Sequence, residues 1–497
     1  MKQVTTTDGT SVTFITKTRV VTGPREVFFS PDKSLAVVLY RQPLETSVRD
    51  FLIKLTTKYR DLVLNQDDGG DYFKDFFCWP QHVFDYEGGR LGLVFPFFKP
   101  RFIFGEDTNL AGGAKTATWF ISAKNFNLFV PNKDRGNLLG YLRAGLHLCQ
   151  ALRRLHKAGL IHSDLSGRNC LVDPVGGEVC LINIDYLIGS ELSAQSSGLG
   201  TFTPDFAAPE IISSCFSADN FDRRGLNQAS NYHSLAVLIY GLLLHRHPLR
   251  GSKIHSADLS ENEAMLLGSK ALFIENPDNN SNRLLFSADD KDNMPWFDTA
   301  TISVSVLGPH LKSLFAYAFI DGLKDPKLRP TADEWEKALV KTVDLLQPCG
   351  NPKCSMKWYV FQKPPKSVCP YCGEKFQGKM LVLDFYSTVD EKKYTSDNHQ
   401  LVVSNNKYIY PWHADASIFP NEFLDSQKRK PVGYFSYDQK KGWYFVNQTL
   451  ESMEKVFESN QKEKVGPGEA IKIFDEQKLI LKTGPSGRLV QVRTVSF

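Results

Sequence analysis

The chain lacks any long apolar run. Its most hydrophobic stretch, around Leu235 to Leu244, is far shorter than the roughly 20 residues a bilayer-crossing helix needs, which excludes a helical membrane span. An apolar leader is missing too, since Met1-Lys2-Gln3-Val4-Thr5-Thr6-Thr7-Asp8 contains no hydrophobic region, and the expected location is cytoplasmic. Excess charge of one sign is scarce: 59 Lys+Arg against 55 Asp+Glu leave +4 on 497 residues, too little and too dispersed for a nucleic-acid footprint. Nine cysteines in so long a chain do not make a disulfide framework and are read as core thiols plus a candidate metal site. No internal repeat or long low-complexity segment occurs, and the stretch from Asn276 to Asn293 best fits the composition of a flexible loop.

What is present is apolar material enough for several cores. A hydrophobic fraction of 42% over 497 residues predicts two or three domains. From Val12 to Tyr40 apolar and polar positions alternate, which predicts a small antiparallel sheet; a helix is expected from Leu44 to Leu64. Strand character resumes at Cys78-Trp79-Pro80 and at Leu91 through Phe98. Helical spacing then dominates at Asn137 to Ala158, Tyr232 to Leu244, Pro309 to Leu323 and Ala332 to Leu346. After a linker containing Pro364 and Pro365, short apolar runs separated by turns predict an all-β tail from Met380 onward.

The chemistry is concentrated in His162-Ser163-Asp164-Leu165-Ser166-Gly167-Arg168-Asn169, followed after the apolar run Val179 to Ile184 by Asp185-Tyr186-Leu187. Two acids and an amide at this spacing suit phosphoryl transfer. Asp164 can accept a hydroxyl proton while Asn169 and Asp185 hold a magnesium ion that bridges phosphates. Acids capping turns around Asp173-Pro174-Val175-Gly176-Gly177 would explain each residue singly, but not their joint spacing.

With these motifs stand Gly200-Thr201-Phe202-Thr203-Pro204-Asp205-Phe206-Ala207-Ala208-Pro209-Glu210, Tyr232-His233-Ser234-Leu235-Ala236 and Asp325-Pro326-Lys327-Leu328-Arg329-Pro330-Thr331. In that order they resemble the eukaryotic-like protein kinases over about Val12 to Leu346. The resemblance implies a two-lobed α+β kinase fold, with strands and one helix in residues 1–98 and a mainly helical lobe in 99–346. It also implies ATP and Mg2+ as cofactors, serine/threonine of a protein as acceptor, and a structural pair between Glu210 and Arg329. Cys78-Trp79-Pro80, Leu93-Val94-Phe95-Pro96, His245 through Gly251 and Lys270 through Glu275 are similar to a bacterial branch found at tellurite-resistance and stress loci. That similarity implies, as partners, a metal-dependent protein phosphatase and a von Willebrand A domain protein.

The departures from the kinase pattern fall mainly in the first lobe. The glycine-rich loop is reduced to Gly23-Pro24-Arg25-Glu26-Val27-Phe28, and Val38 stands where the third-strand lysine belongs. Arg25, Lys33 or Arg41 could supply the missing cation, or nucleotide binding is weakened or lost. Arg41 shares a strand face with Leu39 rather than Val38, so it would need a bulge or a long reach. Glu45 and Asp50 are available as partners for that cation, although they also read as solvated helix acids. Ser163 replaces the arginine that commonly receives an activation-loop phosphate, which argues against control at Ser193, Ser196, Ser197, Thr201 or Thr203. Asn231 replaces a buried aspartate, and Tyr186-Leu187 replaces Phe-Gly.

Cys349, Cys354, Cys369 and Cys372 have the paired spacing of a zinc ribbon, expected over 347–378, with Gly350 and Gly373 at the knuckles. The tail, 379–497, is expected to be a β-sandwich. Trp443-Tyr444-Phe445-Val446-Asn447 and Gly466 through Ile473 are similar to part of a forkhead-associated domain, but no phosphothreonine-gripping arginine and serine stand around Leu401 to Trp412. Tyr410 and Trp412 are read as core. The sequence thus predicts an ATP-dependent serine/threonine kinase with Asp164 as base and Gly23, Arg25, Arg41, Asn169 and Asp185 at the nucleotide. The alternative is a pseudokinase scaffold that presents the ribbon and sandwich to a partner.

Overall fold

The computed structural model describes residues 1–65, 70–189, 202–217, 226–285, 288–362, 368–390, 392–420 and 428–496. Ser193, Ser196, Ser197 and Thr201, as well as the linker prolines 364 and 365, lie outside them. The chain divides into two compact units, one comprising Met1–Gly136, Arg143–Ser303 and Leu314–Trp335, the other Asn137–Leu142, Val304–Ser313 and Glu336–Phe497. No helix among the described residues is long and apolar enough to cross a membrane.

The first unit opens with strands β1 (Lys2–Thr5), β2 (Ser11–Thr22), β3 (Arg25–Phe29), β4 (Leu35–Tyr40), β5 (His82–Tyr86) and β6 (Arg90–Pro96). They form one antiparallel sheet in the order β1-β2-β3-β4-β6-β5. Strand alternation decides what each face does. Val37 and Leu39 enter an apolar cluster with Val12, Phe14, Phe28, Phe84 and Val94, which sends Val38 and Tyr40 to the other face. Cross-strand partners share a face, and the register pairs Arg25 with Tyr40 and Val27 with Val38. Arg25 therefore lies on the face occupied by Val38.

The β2–β3 connection is a two-residue hairpin, because Thr22 pairs with Arg25 across Gly23-Pro24. Gly23 takes φ 56°, a left-handed conformation that glycine adopts without a Cβ penalty, and the glycine-then-proline order fits a type II′ turn. No wide loop remains here to cover phosphates.

The expected single helix is two: α1 (Thr46–Thr56) and α2 (Lys58–Leu64), broken at Thr57 with φ −124° and ψ −96°. The Oγ1 atoms of Thr56 and Thr57 both donate to the Ile53 carbonyl, at 2.8 and 3.3 Å, competing with the helical ladder. Cys78-Trp79-Pro80 is not a strand either. Cys78 donates its N–H to Leu181 O at 2.8 Å, Pro80 has none to give, and strand pairing starts at His82.

Helices Leu138–Lys157 and Gln228–Leu244 follow as expected. The latter is buried on all sides from Leu235 to Leu244, which explains its continuous apolar run. Between them β7 (Leu160–His162), β8 (Cys170–Asp173), β9 (Glu178–Leu181) and β10 (Leu187–Gly189) pair as two hairpin-like ribbons, β7 with β10 and β8 with β9. These ribbons hold both ends of the catalytic motif in register. Arg329 makes the expected pair with Glu210 in bidentate form, at 2.7 and 2.6 Å, and adds a bond to the Gly322 carbonyl.

In the second unit β11 (Leu346–Pro348) pairs with β12 (Trp358–Val360) ahead of the cysteine pairs' second half. Ten further strands form β14-β13-β22-β21-β18-β19 and β15-β16-β17-β20, where β13 is Lys379–Thr388, β14 Tyr394–Val402, β15 Tyr408–Ile409, β16 Gly433–Asp438, β17 Gly442–Asn447, β18 Glu454–Val456, β19 Lys462–Lys464, β20 Ala470–Lys472, β21 Lys478–Ile480 and β22 Arg488–Ser496. Phe385, Leu401, Phe435, Phe445 and Val490 from both sheets share one apolar cluster. Tyr410 and Trp412 are not part of it: they are half-buried and stack on each other at 4.4 Å.

Arg329→Met removes a guanidinium that is 3% exposed and leaves Glu210 unpaired. The loss should sit at or below the low end of the about 3–5 kcal/mol for breaking a buried pair, because the Glu210 side chain is 34% exposed. A urea unfolding midpoint equal to wild type would contradict this.

Candidate active site

The sheet and the segments that join β7 to β8 and β9 to β10 line a cleft of about 700 Å³ within the first unit. Its roof is made by the face of β3 and β4 that carries Arg25, Val27 and Val38, and its floor by Asp164, Arg168, Asn169 and Asp185. Apolar side chains at Val27, Val38, Phe95 and Ile182 line it together with the polar groups.

Arg25 answers the question raised by Val38. Its Nη1 donates to Asp185 Oδ2 at 2.5 Å and its Nη2 to Tyr186 Oη at 2.5 Å, with the guanidinium 4.2 Å from the Tyr186 ring centroid. Arg25 and Asp185 are 3% and 0% exposed, so this is a fully desolvated pair. Burial works to lower the Arg25 pKa, but the charge of Asp185, helped by Tyr186 and Tyr40, raises it above the usual guanidinium range, and the cation persists. Tyr40 Oη also donates to Asp185 Oδ2, at 2.8 Å. Burial, reinforced by Asp185, pushes the Tyr40 pKa well up, so this hydroxyl remains a donor.

Lys33 and Arg41 do not share this site. Lys33 is exposed in the β3–β4 turn with φ 55°, and Arg41 is exposed beyond the end of β4. Gly23 lines the cleft at the hairpin, while Glu45 and Asp50 are exposed on and beside α1.

On the floor, Asn169 Nδ2 donates to both the Asp164 carbonyl and Asp164 Oδ2, at 2.7 and 2.8 Å. The other carboxylate oxygen, Oδ1, accepts the Thr203 N–H at 3.0 Å. Asn169 Oδ1 accepts from Asn183 Nδ2 at 2.6 Å, which Asn183 reaches from a left-handed conformation with φ 56°. Asp185 Oδ1 is buried with no hydrogen-bond partner among the described residues. An orphaned carboxylate oxygen beside a polar cleft is a donor set that fits a hard divalent cation such as Mg2+.

Neutral groups hold this loop where charged ones were missed in the sequence. Asn231 Oδ1 accepts the His162 N–H at 3.0 Å while its Nδ2 donates to the His162 carbonyl at 2.8 Å, a two-way grip that a carboxylate could not make. Ser163 Oγ donates to the Tyr186 carbonyl at 2.7 Å and so ties the catalytic loop to the metal loop. Tyr40, Asn183 and Arg168 carry no motif signal of their own. Only the adjacency of Arg168 to Asn169 pointed at the cleft.

The second unit holds two further clusters. The Sγ atoms of Cys349, Cys354, Cys369 and Cys372 lie within 4.8 Å of one another, with Cys349 to Cys372 at 3.5 Å and Cys354 to Cys369 at 3.9 Å. Four thiolates about 2.3 Å from one tetrahedral zinc stand about 3.8 Å apart, so these sulfurs fit such an ion. Gly373 makes its knuckle turn at φ 74°, whereas Gly350 has no positive φ. Asp344, His399 and His413 also converge, with both Nε2 atoms on Asp344 Oδ2 at 2.8 and 3.0 Å. His413 Nδ1, however, accepts the Tyr410 N–H at 3.0 Å, which places the ring proton on Nε2, pointing at Asp344. That tautomer makes the cluster a hydrogen-bonded brace and leaves His413 no lone pair for a metal.

Residues 143–339 match the protein kinase domain family. The chain shows similarity to the Aurora kinase of Dictyostelium discoideum (28% identity over 103 residues, 21% of this chain and 24% of that one). It is also similar to the serine/threonine-protein kinase AtPK2/AtPK19 of Arabidopsis thaliana (29% over 106 residues, 21% and 20%). A third relative is the cGMP-dependent protein kinase egl-4 of Caenorhabditis elegans (30% over 129 residues, 25% and 15%). The chain thus spans a quarter or less of the length of these relatives. The α+β fold of the first unit is protein-kinase-like.

Asn231→Leu leaves two buried polar groups of His162 unsatisfied and should lower stability by about 2–4 kcal/mol. Asn231→Asp retains only the accepting half of the grip. The order wild type, Asp variant, Leu variant in thermal midpoint is expected, and a Leu variant as stable as wild type would refute the anchoring role.

Proposed function

We propose that this protein is an ATP-dependent protein kinase that transfers the γ-phosphoryl group to serine or threonine of a protein substrate. The observation that carries the reading is the convergence, in one cleft of nucleotide size, of Asp164, Asn169 and Asp185 with a buried guanidinium supplied by Arg25. Asp164 orients the acceptor hydroxyl and takes its proton, and Asn169 keeps that carboxylate fixed. Asn169 and Asp185 would hold Mg2+, which supplies neutralisation of the phosphate charge when bound. Arg25 takes the place of the third-strand lysine, from the neighbouring strand. Val27, Val38 and Phe95 form the apolar walls against which a base packs, and the exposed Arg168 also lines the cleft.

The four cysteines are proposed to bind a structural Zn2+, and the two sheets with a common core support a β-sandwich related in shape to forkhead-associated domains. A phosphatase and a von Willebrand A protein as partners rest on sequence resemblance alone, as does a stress-related role. A scaffold without catalysis is the second reading. It is favoured by one observation, that Asp185 Oδ2 is already engaged by Arg25 and Tyr40.

Asp164→Asn should abolish phosphoryl transfer in a protein that still folds, with some loss of thermal midpoint because the amide can accept from only one of Asn169 Nδ2 and the Thr203 N–H; retained transfer by the pure variant would overturn the assignment of the base. Magnesium-dependent ATP should raise the thermal midpoint of the wild type, since a ligand at 100 times its Kd adds about 2.7 kcal/mol. No shift at millimolar nucleotide would favour the scaffold. Stripping metal with a chelator should release about one zinc per chain and lower the stability of the second unit. Unchanged unfolding after complete removal would leave the cysteines as packing thiols.

A further inference from the structure

The two oxygens of the Asp185 carboxylate are in different circumstances. Oδ2 accepts from Arg25 Nη1 and Tyr40 Oη, at 2.5 and 2.8 Å, both from the roof of the cleft. Oδ1 is buried and has no partner among the described residues. Asn169 offers a single oxygen, since its Nδ2 is committed to Asp164, and Asn183 Nδ2 already occupies part of that oxygen's capacity. Protein kinases commonly place two magnesium ions on the metal-loop acid and the catalytic-loop amide. Two ions on this set would need lone pairs from both Asp185 oxygens.

Freeing Oδ2 for a second ion means displacing Arg25. The guanidinium is 3% exposed, its Nε has no partner among the described residues, and its Nη2 is fixed to Tyr186 Oη at 2.5 Å. Displacement would strand a buried cation beside an incoming dication, an arrangement that like-charge repulsion and desolvation both oppose. Retaining the pair costs nothing of the sort, because the guanidinium is itself a positive charge held at the phosphate end of the cleft.

Resting on the nucleotide reading above, we infer that the site works with one divalent ion, held by Asp185 Oδ1 and Asn169 Oδ1, and that the Arg25 guanidinium supplies the positive charge a second ion would bring. Arg25 thereby has two tasks that are separate in the usual arrangement: it replaces the third-strand lysine, and it fills the second cation position. Tyr40 is the positioning residue that holds Oδ2 toward Arg25.

The count of bound ions tests this directly. The full chain is dialysed against Mn2+ with saturating adenylyl imidodiphosphate, and protein-bound Mn2+ is read by electron paramagnetic resonance, with the nucleotide-free count subtracted. One nucleotide-dependent Mn2+ per chain is expected. Two ions would overturn the inference while leaving the nucleotide reading intact, whereas no nucleotide-dependent ion would overturn that reading and the inference with it. Arg25→Met should raise the count to two. A count that stays at one in a folded Arg25→Met variant would show that Arg25 is not what excludes the second ion, and if that variant fails to fold, the wild-type count decides alone.

Discussion

The buried pair between Arg25 and Asp185 is the interaction around which the cleft is organised. It joins the β3 strand to the metal loop across 160 residues of sequence, with both partners almost fully removed from water. Two charges so placed cost several kcal/mol each to desolvate and are tolerated only when further hydrogen bonds complete their shells. Tyr40 and Tyr186 each add one such bond, on the carboxylate and on the guanidinium, while Asp185 Oδ1 and Arg25 Nε stay without a partner among the described residues. Val38 is compatible with this arrangement because a lysine there would bring a second cation to the same carboxylate. The absent lysine, the tyrosine at the end of β4 and the tyrosine after Asp185 are three parts of one substitution.

The floor of the cleft shows a complementary economy of charge. Where a kinase would use an arginine before the base and an aspartate to anchor the loop, this chain uses Ser163 and Asn231, both fully engaged with backbone. Neutral donors and acceptors hold the geometry without adding charges that would compete with Asp164 and Asp185 in a low-dielectric site. The roof supplies one buried cation, the floor two acids and the exposed Arg168, and a hydroxyl and amides do the positioning. The second unit follows a similar logic at Asp344, where His399 and His413 converge on one carboxylate and the tautomer of His413 marks a brace.

How much of this could be read from the chain depended on distance along it. Asp164, Asn169 and Asp185 were legible because a tight loop and the following strand bring them together locally. The four cysteines were legible for the same reason, since paired spacing forces each pair into a knuckle. Arg25 could be named only as one of three cations, because strand parity tells which residues share a face but not which face meets Asp185. The bonds from Arg25 Nη1 and Tyr40 Oη to Asp185 Oδ2 settle that point. Tyr40 in an apolar strand reads as core, and Asn183 depends on a left-handed backbone that no residue pattern announces. The break at Thr57 was likewise hidden, because the apolar spacing of α1 and α2 continues through it while the threonine side chains bond back to Ile53.

The central claim is that a guanidinium on β3 performs the work of a lysine on β4. Its most direct test is the affinity for Mg·ATP, measured by calorimetry, of Arg25→Met and of the double variant Arg25→Met/Val38→Lys. The register that puts Val38 on the same cleft face predicts that the single change weakens binding at least about tenfold, or 1.4 kcal/mol, and that the lysine restores most of it. Unchanged affinity in folded Arg25→Met would contradict the account, as would a folded double variant that fails to recover.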